Sequence, residues 1–241
     1  TPQREKAGAQ TFGKYMYPDH WALYRIFKEH AVEKEYAVFI ELHEDVVLAN
    51  SLEVEQVKFE FNQVKTTNGK YTDKKLIKPD SETKSSILGK LISSGTNPVY
   101  LERVNSINLV ASNGFSIPQK IKGIDLQDIS INDISDDCLK SMSDAIIKEL
   151  SSDSFPINIH FIVSDLPEKS FEQTIIGHIT EVILKLYPGA TINAQNIYRA
   201  LIDELTRKGR LDLDFKNWDK FIKEKALTSL TVTQVINEHT N

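Results

Sequence analysis

A chain of 241 residues can bury a core without disulfide or metal staples, and its 40% hydrophobic and 26% charged residues are ordinary globular usage, which excludes a disordered or fibrous protein. Twenty-nine basic against 34 acidic side chains leave a net charge of −5 and a pI near 5.7, so nucleic acid is not held by bulk electrostatics and any such site must be local. One cysteine, Cys138, rules out an internal disulfide and thiolate zinc clusters and fits a reducing cytosol.

The first residues, Thr1-Pro2-Gln3-Arg4-Glu5-Lys6, carry neither an initiating methionine nor an apolar secretion core, so a longer natural polypeptide is expected. From His20 to Val32, Leu23, Tyr24, Phe27 and Ala31 recur at helical spacing beside Trp21, which predicts an amphipathic helix. Tyr36-Ala37-Val38-Phe39-Ile40 is a continuous apolar run, the pattern of a strand covered on both faces and far short of the ~20 residues of a membrane span. Val46-Val47-Leu48 predicts a second strand, Ala49-Asn50-Ser51 a turn, and Gln56 to Lys65 a third strand that completes a hairpin. Alternation along the third strand sets Phe59, Phe61, Gln63 and Lys65 on one face and Lys58, Glu60, Asn62 and Val64 on the other. An amide and an ammonium then stand at the end of a rigid, half-buried strand, which is how a fixed catalytic constellation is presented.

Asn68-Gly69 reads as a turn, and Pro79-Asp80-Ser81 leads into a helix over Ser85 to Ile92. A strand is predicted over Ser106 to Ala111, a helix over Ser135 to Leu150 with Leu139, Met142 and Ile146 on one face, and a strand over Ile157 to Val163. After Pro167 the periodicity is helical, with stripes through Ile175, Ile179, Val182, Ile183 and Leu186, then Ile197, Leu201 and Leu205, then Trp218, Phe221 and Ile222. The order mixes strands and helices, so the expected fold class is α/β over residues 1–166, followed over 167–241 by a helical C-terminal extension, either appended or part of the same domain.

Glu41, Glu44 and Asp45, with His43 among them, cluster where the first two strands meet, and Gln63-Val64-Lys65 closes the third. Phosphodiester hydrolysis needs charge neutralisation, an activated water and a stabilised leaving oxygen, which hard cations on carboxylate and carbonyl oxygens supply together with a fixed ammonium. The plain alternative is a solubilising Glu44 and a hairpin-edge lysine. Glu41 interrupts an apolar strand, where an unpaired carboxylate is costly and a ligand or partner is expected. From Lys58 to Lys90, eight lysines face four acids, which nominates Lys70, Lys74, Lys75 and Lys78 as contacts to DNA, with a solvated lysine-rich loop as the other reading.

The runs Ala7-Gly8-Ala9, Phe12-Gly13, Tyr17, Trp21 to Arg25, Tyr36 to Glu41, His43 to Val46 and Phe61 to Thr66 resemble the nuclease domain of CD-NTase-associated protein four. That effector belongs to bacterial CBASS antiphage systems, with related domains in Lamassu-type complexes. The family resembles Mrr-like members of the PD-(D/E)xK restriction-endonuclease superfamily. Gly177-His178-Ile179, Asn196-Ile197-Tyr198, Trp218 and Leu227-Thr228 extend the likeness over most of the chain.

The resemblance implies a restriction-endonuclease-like core, a mixed sheet flanked by helices, that cuts double-stranded DNA with little sequence demand, using Mg²⁺ or, alternatively, Mn²⁺. It implies metal ligands at Asp45 and, through the amide oxygen, Gln63, and a catalytic lysine at Lys65. Glu41 and Glu44 compete for the remaining acidic role, with Glu41 the candidate third ligand. Gln63 replaces the acid of the wider superfamily and leaves the site one negative charge poorer. Pro18 after Tyr17 stands where relatives tend to carry a polar amide, which argues against a site role for that segment. The implied setting is the bacterial cytoplasm, without membrane contact, under a fused or associated sensor and active as a homo-oligomer. A catalytically inactive DNA-binding or protein-interaction module is the rival.

Other chemistries lack their motifs: no second histidine follows His43-Glu44 at zinc-protease spacing, and neither glycine-rich nucleotide loop is present. His20, His30, His160, His178 and His239 are scattered and are expected to be structural or exposed.

Overall fold

The computed structural model describes residues 6–32, 34–42, 44–96, 101–211 and 217–241, with the backbone alone over 6–15, so His43 and the first five residues lie outside it. Along the chain the elements are α1 (Lys6–His30), β1 (Ala37–Ile40), β2 (Val46–Ala49), β3 (Phe59–Lys65), β4 (Tyr71–Thr72), α2 (Asp73–Ile77), α3 (Ile87–Gly95), β5 (Val104–Ala111), β6 (Phe115–Ser116), β7 (Asp128–Ser130), α4 (Asp136–Leu150), β8 (Ile159–Val163), α5 (Phe171–Leu186), α6 (Ala194–Gly209), α7 (Trp218–Lys225), β9 (Leu227–Thr228) and α8 (Ser229–Glu238). The α/β class expected from the alternation of patterns is what forms. The elements fall into two compact units, residues 1–58 with 166–241, and residues 59–165.

In the first unit α1 begins well before His20 and runs through Pro18. Proline lacks the N–H that would bond the Lys14 carbonyl, the reason a sequence reading stops there. Burial carries the helix past it: Tyr17, Trp21, Ala22, Leu23, Ile26 and Phe27 are all buried, and the Tyr17 hydroxyl donates to the Leu166 carbonyl. His20, fully buried on the same helix, has Nδ1 2.8 Å from the Met16 carbonyl and Nε2 2.7 Å from the Tyr198 hydroxyl. A carbonyl only accepts, so Nδ1 carries the proton and Nε2 accepts from Tyr198. Burial holds this imidazole below its usual pKa.

β1 pairs antiparallel with β2, Ile40 opposite Val46, and with β9, Val38 opposite Leu227. Every residue of β1 and β2 is buried, as their unbroken apolar runs require. Phe39 stacks on Phe221 of α7 with ring centroids 5.1 Å apart, whereas Ile40 points to the opposite side and meets the end of α6. There a Cβ on Gly209 would stand 2.6 Å from the Ile40 side chain, so only glycine lets that helix end approach the strand.

Two buried lysines lace α6 to α7. Lys208 Nζ donates to the carbonyls of Lys223 and Ala226 at 2.7 and 2.6 Å, and Lys225 Nζ donates to those of Gly209 and Leu211 at 2.7 and 2.9 Å. Each ammonium satisfies the carbonyls that end the other helix and opposes its dipole. Lys208→Met is therefore expected to cost about 3 kcal/mol by stranding buried acceptors, lowering the melting temperature by roughly 6–12 °C. A melting temperature within about 2 °C of wild type would show that water replaces the ammonium.

In the second unit the strand order is β7-β8-β5-β3, with β3, β5 and β8 parallel and β7 antiparallel to β8. Parallel neighbours need crossovers, and α3 and α4 supply them. Ile107 and Leu109 of β5 and Ile159 and Phe161 of β8 form one core with Leu88, Leu91, Met142 and Ile146 from these helices. Glu149 of α4 accepts from the Ser86 N–H at 2.8 Å, and Ser86 Oγ caps Gly89 N at 2.8 Å, so the start of α3 is already satisfied by protein. Cys138 is buried in this core, and burial followed by the Asp73 charge pushes its thiol up to about 11, so it packs as a small apolar side chain. Among the described residues no helix is long and apolar enough to cross a membrane.

Candidate active site

In the second unit, β3 spans the residues whose alternation the sequence predicts. Gln63 pairs with Leu109 and Lys65 with Ala111, so the two polar side chains share the helix-covered face of the sheet. Both line an open cleft of about 680 Å³, whose other walls include Lys75, Lys78 and Lys90. The strand end that carries Lys65 is fixed: its carbonyl accepts from Ser112 N at 3.1 Å, Thr67 N donates to Ser112 Oγ at 3.0 Å, and the Asn113 amide reaches the Thr67 carbonyl. Gln63 and Lys65 are each half-buried, so their backbone is rigid while their heads meet the cleft.

The sequence-nominated lysines divide here. Lys75 and Lys78 line the cleft, Lys74 is not among its lining residues, and Lys70 lies 3.6 Å from Asp125. Lys90 of α3 lines it too and escapes a reading of the sequence, because helical spacing alone does not tell which way an exposed lysine of α3 faces. Asp80, an acid of this wall, is held by its own turn: the N–H groups of Thr83 and Glu82 donate to its carboxylate at 2.9 and 3.0 Å and keep it below the usual carboxylate range.

In the first unit the β1–β2 connection is closed by Glu41 N donating to the Asp45 carbonyl at 3.1 Å. Glu41 lies just past β1, exposed, with a φ of 50°. Contrary to expectation, it does not interrupt a buried strand: its side chain is exposed, and the unusual feature is its left-handed backbone. Glu44, read as a possible surface residue, is the buried one at 7% exposure, and Asp45 is intermediate.

A further acid, Asp19 on α1, joins them. Its carboxyl is pushed up to about 6, by burial first, with the charges of Glu41 and Asp45 adding to the rise, while Thr206 Oγ1, 3.4 Å away, opposes it. A helix expected to start only after Pro18 leaves Asp19 out. Its spacing to Leu23, Ile26 and Phe27 puts a carboxylate on the buried stripe, which is the signal that could have found it.

Among the described residues, no three of the His, Cys, Asp and Glu side chains gather closely enough to hold an ion unaided. The donors at issue, a carboxylate and an amide oxygen, are hard oxygen ligands of the type Mg²⁺ takes when substrate phosphate and water complete its shell. His30, 3.0 Å from the Tyr36 hydroxyl, and His160, 2.9 Å from Asp128, are engaged in structural pairs.

A family model described as "Cap4, dsDNA endonuclease domain" matches residues 6–209, which takes in Asp19, Glu41, Asp45, Gln63, Lys65 and the cleft lysines. The chain belongs to the Cap4 double-stranded-DNA endonuclease domain family. It is thus a DNA-binding endonuclease domain of antiphage defence with a restriction-endonuclease-like α/β fold. No curated protein and no solved structure matches it.

Proposed function

We propose that this Cap4-type domain is a Mg²⁺-dependent endonuclease, with Mn²⁺ as the alternative ion, that hydrolyses double-stranded DNA with little sequence demand. It works in the bacterial cytoplasm in a CBASS- or Lamassu-type system, and it becomes active when a fused or associated sensor brings copies together. Lys65 is the catalytic lysine, Asp45 and Gln63 are metal ligands, and Glu41 rather than Glu44 accompanies Asp45. The observation that carries the reading is that Gln63 and Lys65 leave the same face of β3 into one basic cleft. Asp19, whose carboxyl is pushed up in part by the charges of Glu41 and Asp45, supports the choice of Glu41.

When bound, the metal supplies Lewis-acid stabilisation of charge at the scissile phosphate. The Lys65 ammonium orients the attacking water and offsets negative charge as it develops on the phosphoryl oxygens, from a strand that does not reorganise during the reaction. The Gln63 amide, being neutral, presents an oxygen without adding repulsion toward the phosphate.

A net charge of −5, with the lysine surplus confined to one stretch, gives a single copy little non-specific affinity for DNA. Adjacent copies multiply binding through effective concentration, by about 10²-fold or more. The experiment compares supercoiled plasmid cleavage by the dilute monomer with cleavage by the same domain fused to an inducible oligomerising tag, at matched concentration and salt. Faster cutting by the clustered form is expected. Equal rates would refute control by clustering, and binding without cutting in both forms would establish the inactive-module alternative.

A further inference from the structure

We infer that the cleft beside Lys65 carries the backbone of the strand being cut, on one side of the scissile phosphate, with Lys75, Lys78 and Lys90 each facing a flanking phosphate. This rests on the reading of Lys65 given above and adds a division of labour among the lysines: Lys65 serves the reacting phosphate and the other three serve its neighbours.

Four features of the cleft select a sugar-phosphate chain. First, its cations come from three places, Lys75 on α2, Lys78 just after it and Lys90 on α3, so the positive charge is spread along a wall rather than gathered at one point. Groups that hold a single free phosphate converge on one point, whereas cations spread along a wall match the successive phosphates of a polyanion. Second, Lys75 Nζ sits 4.7 Å over the Tyr71 ring, which restricts a flexible side chain before any ligand arrives.

Third, Asp80 is turned to the N–H groups of Thr83 and Glu82, so its charge is engaged within its own turn. Fourth, the remaining lining fits a backbone and not bases. Pro79 and Ile87 offer apolar surface to sugars, and among the described residues no arginine, the side chain that reads guanine edges bidentately, lines the cleft. The Tyr71 ring, 7% exposed and stacked on Phe115 at 6.2 Å, is not free to stack on a base. Contacts limited to phosphate position a duplex and read no sequence.

The test uses the full chain and a short blunt duplex in EDTA, with binding followed by fluorescence anisotropy over a range of NaCl. Wild type is compared with Lys90→Gln, with the triple variant Lys75→Gln/Lys78→Gln/Lys90→Gln, and with Lys140→Gln, an equal charge change at an exposed position of α4 outside the cleft. All three cleft lysines are exposed, so the variants are expected to fold, which circular dichroism checks.

The slope of log affinity against log salt is expected to fall by about 1 for Lys90→Gln and by about 3 for the triple variant, and to keep its wild-type value in Lys140→Gln. Inorganic phosphate is expected to displace the duplex no better than chloride at equal ionic strength. A wild-type slope in the triple variant, an equal loss in Lys140→Gln, or selective displacement by inorganic phosphate would overturn the inference. A nuclease that depends on Lys65 yet shows an unchanged triple-variant slope refutes the cleft alone. Undiminished cutting by Lys65→Ala refutes the active-site reading beneath it.

Discussion

Lys65→Ala is expected to lower cleavage of double-stranded DNA by about 10²-fold or more, with the fold intact. The size follows from the role: a fixed ammonium aimed at charge that appears only in the transition state contributes to the barrier rather than to ground-state binding. The intact fold follows from the backbone, because the strand end is held by the ladder to Ala111 and by the bond from Ser112 N to the Lys65 carbonyl, which alanine preserves. Lys65→Arg separates charge from shape. A planar guanidinium does not place its charge where a compact ammonium does, so arginine is expected to remain strongly impaired. The readouts are plasmid nicking under single-turnover conditions and the circular dichroism spectrum. A folded Lys65→Ala protein that nicks at near wild-type rate removes Lys65 from the chemistry.

Excess EDTA is expected to abolish cleavage, and calorimetry is expected to show only weak Mg²⁺ binding to the DNA-free protein. Both follow from the donor set. In the proposed donor set Gln63 contributes an oxygen without charge, and among the described residues no three acids or histidines gather to hold an ion unaided. Mg²⁺ dehydrates reluctantly and is ordinarily held by one or two carboxylates plus substrate phosphate. DNA should therefore raise Mg²⁺ affinity, and by linkage Mg²⁺ should raise DNA affinity by the same factor. Gln63→Glu, which adds one negative charge, is expected to tighten Mg²⁺ binding to the DNA-free protein. Undiminished cutting in EDTA, or tight Mg²⁺ binding to the free wild-type chain, would defeat the assignment.

Local pattern was enough to establish the α/β class, the apolar β1 and β2, the polar end of β3 and the apolar stripe of α5. In each case a hydrophobic period of 2 or 3.6 residues, or an unbroken apolar run, records which faces are buried, and burial of apolar surface is the main force that drives folding. The family likeness, read from motifs on both sides of β3, was legible for the same reason, since those residues are fixed locally along the chain. The remainder came from packing between segments distant in sequence, which periodicity does not encode.

α1 passes through Pro18 because its buried face outweighs one lost hydrogen bond, and that brings Asp19 under the influence of Glu41 and Asp45. β4, β6, β7 and β9, of two or three residues each, are too short to show a period and exist through their partners. Glu41 and Glu44 exchanged their expected burial because a tight connection, with Glu41 at positive φ, turns adjacent side chains in directions that alternation does not predict. Which lysines face the Gln63–Lys65 cleft was settled by the packing of α3 on β5 and of α2 against α3, for an exposed lysine satisfies the same hydropathy pattern whichever way it points.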